Sequence, residues 1–158
     1  MIIGGGPGGN AAATLAARMG AEVTMIEREI VGGAAHLLDC IPSKAMIATG
    51  GAMSATKRFA GMGIEQHDVE IDVASLSDRI GGIVGRMQQN TTQLLQSQGV
   101  NIIMGEASFT GPNEVLVTSS SGQTRVQGDA FVIATGSRPR IPGWVTPDGE
   151  HILTTRDC

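Results

Sequence analysis

The amino-acid sequence predicts an α/β domain in which helices flank a parallel sheet and a three-stranded antiparallel meander lies to one side. The chain opens in the order strand, glycine-rich loop, helix and strand, which is typical of a parallel βαβ unit. Another apolar strand is predicted far along the chain, at residues 130–134. Before it, residues 107–126 contain three short strand-like runs separated by turn residues, which predicts the meander.

The glycine-rich loop follows directly on the first predicted strand, residues 1–3. Its glycines at positions 4, 6 and 9 fit the pattern G-x-G-x-x-G. Such glycines permit a tight turn, a close approach of the backbone to a pyrophosphate, and close packing of the next helix. The free N–H groups at the start of that helix would face the phosphates. The residues expected to bind a dinucleotide here are Gly4, Gly6, Pro7, Gly8 and Gly9.

The segments after the loop strengthen this interpretation. Residues 10–19 are rich in alanine and leucine and predict a helix that ends at Gly20. Residues 22–26 predict the second strand, and Glu27 follows close to the expected distance of about 20 residues from the last glycine. A carboxylate there accepts hydrogen bonds from the ribose of an adenine dinucleotide, either NAD or FAD. The alternative is a chance glycine-rich turn, but loop, helix, strand and acid agree with one another.

Composition and charge narrow the class of protein. The 158 residues suit one domain, and a net charge of −4 argues against binding to nucleic acid or to a strongly anionic membrane. No apolar run reaches the length of about 20 residues that spans a bilayer, so we expect no transmembrane segment. The two cysteines, Cys40 and Cys158, lack the spacing of a disulfide framework, which favours a cytoplasmic location. No His/Cys cluster has the spacing of metal ligands.

Two further helices are predicted. Pro42 suits the first turn of a helix that continues to Met62, which places Cys40 at or just before the helix N-terminus. The longest helix is predicted at residues 75–98, with Asp72 as its N-cap. Judged by itself, Cys40 would be a small buried apolar residue, which is the usual role of a free cysteine.

Strands and connections account for most of the remaining chain. A polar connection at 64–73 includes a short edge strand and the solvated residue His67. Buried strands are predicted at 100–104 and 130–134, and the second of these leads into a turn at Gly136. The strands of the meander are predicted at 107–110, 114–118 and 124–126.

Residues 32–44, GGAAHLLDCIPSK, carry a specific resemblance. They resemble G-G-T-C-x-x-x-x-C-[IV]-P-[SK]-K, the signature of the flavoprotein disulfide reductases, the family of dihydrolipoamide dehydrogenase and glutathione reductase. The chain departs at Ala34 and at Ala35, where the first redox cysteine would stand, and His36 and Asp39 also differ from the reductase pattern. The matching residues are Gly32, Gly33, Cys40, Ile41, Pro42, Ser43 and Lys44.

The departure at Ala35 makes the chain similar to the NAD(P)H quinone reductase branch of that family, which lacks this cysteine. Residues 147–156, PDGEHILTTR, resemble the same branch, and the run A-T-G-x-x-P at 134–139 also occurs in the family. The resemblance implies a Rossmann-like FAD-binding domain with FAD as cofactor, NAD(P)H as reductant and a homodimeric full-length protein. It implies that the chain is the N-terminal segment of that domain, 1–158, with the nicotinamide-binding and interface domains absent from it.

The resemblance also implies roles for individual residues. Cys40 would lie against the flavin and Lys44 near its N5 atom, which makes these two the expected catalytic residues. His36 is either a polar residue that faces solvent or quinone, or a catalytic group. The further residues expected to contact FAD are Arg28, Gly32, Gly33, Ala34, Ala35, Lys44, Ala107, Ala134, Thr135 and Gly136.

The expected activity is electron transfer from NAD(P)H through FAD to a quinone, because a chain with Ala35 cannot form the redox disulfide. The 158 residues alone are expected to be inactive. Three alternatives remain open at this point: a flavoenzyme like dihydrolipoamide dehydrogenase, one like a transhydrogenase, and a flavin-binding module without catalysis.

Overall fold

The computed structural model describes residues 1–59, 62–64 and 68–157. The strands are β1 (Ile2–Ile3), β2 (Thr24–Glu27), β3 (Asn101–Met104), β4 (Glu106–Gly111), β5 (Glu114–Ser119), β6 (Gly122–Gln127) and β7 (Val132–Ile133). The helices are α1 (Pro7–Arg18), α2 (Ile41–Thr56) and α3 (Val73–Ser97). A π-helical segment, Ala35–Cys40, precedes α2, and a 3₁₀ turn, Lys57–Phe59, follows it.

The strands form two sheets, as the sequence predicts. A parallel sheet has the order β3-β2-β1-β7, and an antiparallel sheet has the order β4-β5-β6. In the parallel sheet, Ile2 lies beside Met25 on one side and Val132 on the other. The predicted α/β architecture with a three-stranded meander is therefore confirmed.

The alternation of side chains along the two central strands explains how the layers pack. Successive residues of a strand point to opposite faces of the sheet. Ile2 and Met25 accordingly join Leu95 of α3 in an apolar cluster on the helical face. Ile3 and Ile26 join Val115 of the meander in a second cluster on the opposite face. The central strands are apolar at every one of these positions because both of their faces are covered.

Two strands that were predicted to be buried lie at the edges of the parallel sheet. The side chains of β3 are exposed or half-buried, and Val132 and Ile133 of β7 are 46% and 67% exposed. The prediction of burial was wrong because an apolar run looks the same whether a strand is central or at an edge. The order of strands, and with it the burial, is decided by contacts between distant segments.

The start of α2 also differs from the prediction. The π-helical segment leads directly into α2, and Cys40 has helical backbone angles, φ −71° and ψ −46°. Cys40 therefore lies within a continuous helical run and not at its free N-terminus. The buried side chain of Leu37 anchors the additional turn, a tertiary contact that the Pro42 pattern does not reveal.

The ends of the next elements follow the sequence more closely. The carboxylate of Asp72 accepts a hydrogen bond from the backbone N–H of Ser75 at 3.1 Å, which confirms the predicted N-cap of α3. Hydrogen bonds from the hydroxyl and N–H of Ser75 hold the pKa of Asp72 below its ordinary value. Residues 68–72 form no strand, contrary to the predicted edge strand. The helix predicted to continue to Met62 ends earlier, because α2 stops at Thr56. His67 and residues 60–61 lie outside the described residues.

In the described parts of the chain, no helix combines the length and apolar character needed to cross a membrane.

Candidate dinucleotide-binding site

The loop between β1 and α1 is fixed by hydrogen bonds from its own backbone. The N–H of Gly4 donates to the carbonyl oxygen of Ile26 at 2.8 Å, and the carbonyl of Gly5 accepts from the N–H of Gly32 at 2.8 Å. At Gly9 the backbone packs so closely that a Cβ atom would lie 1.9 Å from the carbonyl oxygen of Gly4. Only glycine fits there, which is the requirement predicted for the last glycine of the pattern.

The second pair of glycines packs against this loop. Gly33 has φ +83°, and a Cβ atom on it would lie 2.5 Å from the Cα of Gly6. The conformation and the lack of space both require glycine at this position. The motif at 32–33 and the loop at 4–9, far apart in sequence, thus form adjoining walls of one site.

Glu27 ties the end of β2 to both of these segments. Its side chain is only 8% exposed, and Oε2 accepts a hydrogen bond from the N–H of Gly5 at 2.6 Å. Oε1 accepts another from the N–H of Glu29 at 2.7 Å. These bonds satisfy a buried carboxylate and leave each oxygen with capacity for another donor. Glu27 therefore supports the loop and can also bind ribose hydroxyls.

A cavity of about 1130 Å³ opens over the carboxyl ends of the parallel strands and the start of α1. Ligands of open α/β sheets bind at this end of the strands. The volume lies just above the range of about 300–1,000 Å³ for small-molecule sites. The cavity therefore has room for an extended ligand such as a dinucleotide.

Most of the residues predicted from the sequence line this cavity together. The predicted residues in its wall are Gly4, Gly6, Pro7, Gly8, Glu27, Arg28, Gly33, Ala34, Ala35, Ala107, Ala134, Thr135 and Gly136. Gly9 and Gly32 lie behind the wall and shape it. Cys40 and Lys44 do not line it, and both are exposed.

Sequence reasoning missed several residues of the cavity wall. Ser137 and Pro139 adjoin the predicted turn at Gly136, and this closeness in sequence could have identified them as residues of the cavity wall. Thr154 and Arg156 lie in the run 147–156 that resembles the quinone reductase branch, but no site role was predicted for them, because they reach the cavity only when the last segment folds back. The residues of the wall that were not predicted are Ile3, Ile26, Glu29, Gly105, Glu106, Ser137, Arg138, Pro139, Ile141, Thr154 and Arg156.

Charged pairs lie on two sides of the cavity. Arg28 and Glu106, both largely exposed, are 3.5 Å apart, which is a weak surface ion pair. Arg156 is less exposed: its Nε lies 3.0 Å from Oδ1 of Asp39, and its Nη1 lies 3.8 Å from Oε1 of Glu29. Arg156, Asp39 and Glu29 therefore join three segments that are separate in the sequence.

Two aspartates stabilise the turns of the last segment. Oδ1 of Asp148 accepts hydrogen bonds from the backbone N–H groups of Glu150, His151 and Ile152. These bonds, led by that from Ile152, hold the pKa of Asp148 below its ordinary value. The N–H and hydroxyl of Thr154 lower the pKa of Asp157 in the same way. Both turns are therefore favoured at neutral pH and weaken when these carboxylates become protonated.

Among the residues that the structure describes, no group of three or more His, Cys, Asp or Glu side chains is arranged to hold a metal ion.

Residues 1–158 match the protein family described as pyridine nucleotide-disulphide oxidoreductase. The chain belongs to this family. The match extends over the glycine loop, Glu27 and the whole cavity wall, so the family assignment and the geometry concern the same residues.

Relatives and a solved structure agree with the family assignment. The chain is 35% identical over 162 residues to dihydrolipoyl dehydrogenase 2 of Haloarcula marismortui, covering 100% of the chain and 34% of that protein. It is 34% identical over 168 residues to NAD(P)H dehydrogenase (quinone) of Mycobacterium tuberculosis, covering 99% of the chain and 34% of that protein.

The crystal structure of LpdA from Mycobacterium tuberculosis superposes with a TM-score of 0.84 and 33% identity, covering 99% of the chain and 36% of LpdA. The match supports the fold of this pyridine nucleotide-disulphide oxidoreductase segment over nearly its full length. The chain spans about a third of the length of these relatives.

Proposed function

We propose that this chain is the N-terminal segment of the FAD-binding domain of an oxidoreductase that passes electrons from NAD(P)H to a quinone without a redox disulfide. The single observation that carries the proposal is Ala35 in the cavity wall, at the position where the reductase signature has its first cysteine. A methyl side chain there offers no thiol to attack a disulfide substrate. A direct electron acceptor is therefore favoured.

The residues of the cavity fit FAD. The glycine loop leaves room for a pyrophosphate beside the N-terminus of α1, where backbone N–H groups and the helix dipole favour negative charge. Glu27 supplies the acceptor for ribose hydroxyls, and Ala107 and Gly136 line the same cavity. FAD bound there would supply the redox chemistry by taking hydride from a nicotinamide and releasing electrons to an acceptor.

Specific roles follow for the remaining residues. Cys40 and Lys44, in and after the π-helical segment, are proposed to tune the flavin electrostatically. Their exposure in this chain leaves them accessible to such a contact.

The nicotinamide-binding and interface domains are proposed to come from parts of the protein outside 1–158. We also propose a homodimeric, cytoplasmic protein, which sedimentation of the full-length protein and cell fractionation would test.

A dihydrolipoyl dehydrogenase activity is the second candidate. It is favoured by the relative from Haloarcula marismortui, which carries that name. The two candidates differ in one requirement: oxidation of a dithiol substrate or reduction of a disulfide substrate needs a second thiol next to Cys40, whereas quinone reduction does not.

Steady-state assays of the full-length protein separate the candidates. We expect the purified protein to be yellow, to be bleached by NADH or NADPH, and to reduce a benzoquinone but not lipoamide or glutathione disulfide. A colourless protein that binds NAD at the glycine loop would refute the FAD assignment. Rapid reduction of either disulfide would refute the argument from Ala35, and a flavin that nicotinamides do not bleach would favour a binding module.

Replacement of Ala35 by cysteine tests the same argument in the opposite direction. The variant would place a second thiol in the turn that ends at Cys40. We expect lipoamide reduction to stay at least about 100-fold below quinone reduction, since one thiol added without the rest of the site does not restore transition-state binding. Ala35→Ser is the matched control, because it adds a polar group of similar size without a thiol. Efficient lipoamide turnover by Ala35→Cys would contradict the expectation.

A further inference from the structure

We propose that Arg156 is a positioning residue that holds the π-helical segment Ala35–Cys40 against the cavity wall. Arg156 ends the run 147–156 that resembles the quinone reductase branch, but that resemblance gives it no role of its own. It rests on the proposed FAD site for one of its readouts, and a second readout is independent of FAD.

The contacts of Arg156 reach two segments that are separate in the sequence. Its Nε lies 3.0 Å from Oδ1 of Asp39, in the π-helical segment next to Cys40. Its Nη1 lies 3.8 Å from Oε1 of Glu29, just beyond β2. The side chains of Arg156 and Asp39 are only 23% and 22% exposed, so water screens this pair less than the surface pairs of the molecule.

Through Glu29, Arg156 is also linked to Glu27, the residue that supports the glycine loop. The backbone N–H of Glu29 donates to Oε1 of Glu27, while Oε2 of Glu27 accepts from the N–H of Gly5. Arg156 itself lines the cavity, as do Glu29 and Ala35. One guanidinium thus joins the exit of β2, the π-helical segment and the last segment around a common space.

The guanidinium group of Arg156 is well suited to holding the π-helical segment in place. A guanidinium is planar and carries five N–H donors, so one group can approach two carboxylates from different directions. Without it, Asp39 would be a half-buried carboxylate without a countercharge, beside a cavity expected to hold a pyrophosphate. Ala35 cannot form a covalent bond to Cys40, so noncovalent contacts must keep the turn between them in place.

The backbone around Arg156 is held in position by the chain itself. Oδ2 of Asp157 accepts a hydrogen bond from the N–H of Thr154 at 2.6 Å, and the hydroxyl of Thr154 accepts from the N–H of Arg156 at 3.2 Å. The arginine therefore extends from an ordered turn and not from a loose terminus. Because the backbone around Arg156 is already fixed, less conformational entropy is lost when the ion pair forms.

The test compares Arg156→Met and Arg156→Lys in the full-length protein. The first readout is the alkylation rate of Cys40 in the apoprotein, followed by peptide mass spectrometry so that other cysteines do not interfere. The second is the dissociation constant of FAD. For Arg156→Met we expect both quantities to rise roughly tenfold, because a partly buried charge loses its partner. Arg156→Lys should restore part of each effect, since it keeps the positive charge but offers one ammonium group in place of the two guanidinium nitrogens that approach Asp39 and Glu29.

Two controls decide between positioning and general loss of stability. Arg79→Met removes an exposed arginine of α3 and should change neither quantity. In a double-mutant cycle, Arg156→Met should add little to Asp39→Asn, because both remove the same contact. Unchanged alkylation of Cys40 in Arg156→Met, an equal effect of Arg79→Met, or additive effects in the cycle would each overturn the proposal. A wild-type protein without affinity for FAD would refute the proposed function, and the alkylation readout would still test the role of Arg156.

Discussion

Gly9→Ala is expected to prevent stable folding of the glycine loop and to abolish FAD binding. A Cβ atom at this position would lie 1.9 Å from the carbonyl oxygen of Gly4, which belongs to the backbone and cannot rotate away. Forcing extra volume into a packed region typically costs about 1–3 kcal/mol, and a clash with backbone lies at the upper end. We expect a lower thermal midpoint of the full-length protein, a low soluble yield and a colourless product.

Gly81→Ala is the matched control for this variant. Both glycines are in helices, where alanine is more favourable than glycine by about 1 kcal/mol. No atom lies within 4 Å of the position that a Cβ on Gly81 would occupy. The two substitutions should therefore have opposite effects on the thermal midpoint. A Gly9→Ala protein as stable and as yellow as the wild type would contradict the packing derived for the loop.

Glu27→Gln is expected to have the second-largest effect. The carboxylate accepts from two backbone N–H groups, those of Gly5 and Glu29, and an amide can replace only one of these acceptors. The other N–H would face an NH₂ group in a site that is only 8% exposed. Leaving one buried donor without a partner costs about 1–3 kcal/mol. We expect the thermal midpoint of the apoprotein to fall and the FAD dissociation constant to rise at least tenfold.

The control for this substitution is Glu22→Gln, which changes the same side chain at an exposed position shortly before β2. It should leave both the thermal midpoint and the affinity for FAD unchanged. If Glu27→Gln lowers the affinity but not the apoprotein stability, the carboxylate serves the ligand alone and its bonds to the loop are dispensable. If neither quantity changes, the structural and the ligand-binding roles of Glu27 are both wrong.

The fold class, the glycine loop and the acid at the end of β2 could all be predicted from the amino-acid sequence. These features are local: glycine spacing dictates where the backbone can turn or pack closely, and the period of apolar residues dictates strands and helices. The same holds for Asp72, whose position three residues before Ser75 is enough to predict a helix N-cap. The signature at 32–44 and the run at 134–139 indicated further residues of the cavity wall through their resemblance to the family.

Which strands are central and which residues complete the site depends on how distant segments of the chain pack together. The strands β3 and β7 have apolar sequences, but they lie at the two edges of the parallel sheet and their side chains are not covered. The π-helical segment before α2 depends on the burial of Leu37, and the entry of Arg156 into the cavity depends on the fold of the last segment. Such outcomes arise from contacts between residues that are distant in the chain, and local propensity carries no information about those contacts.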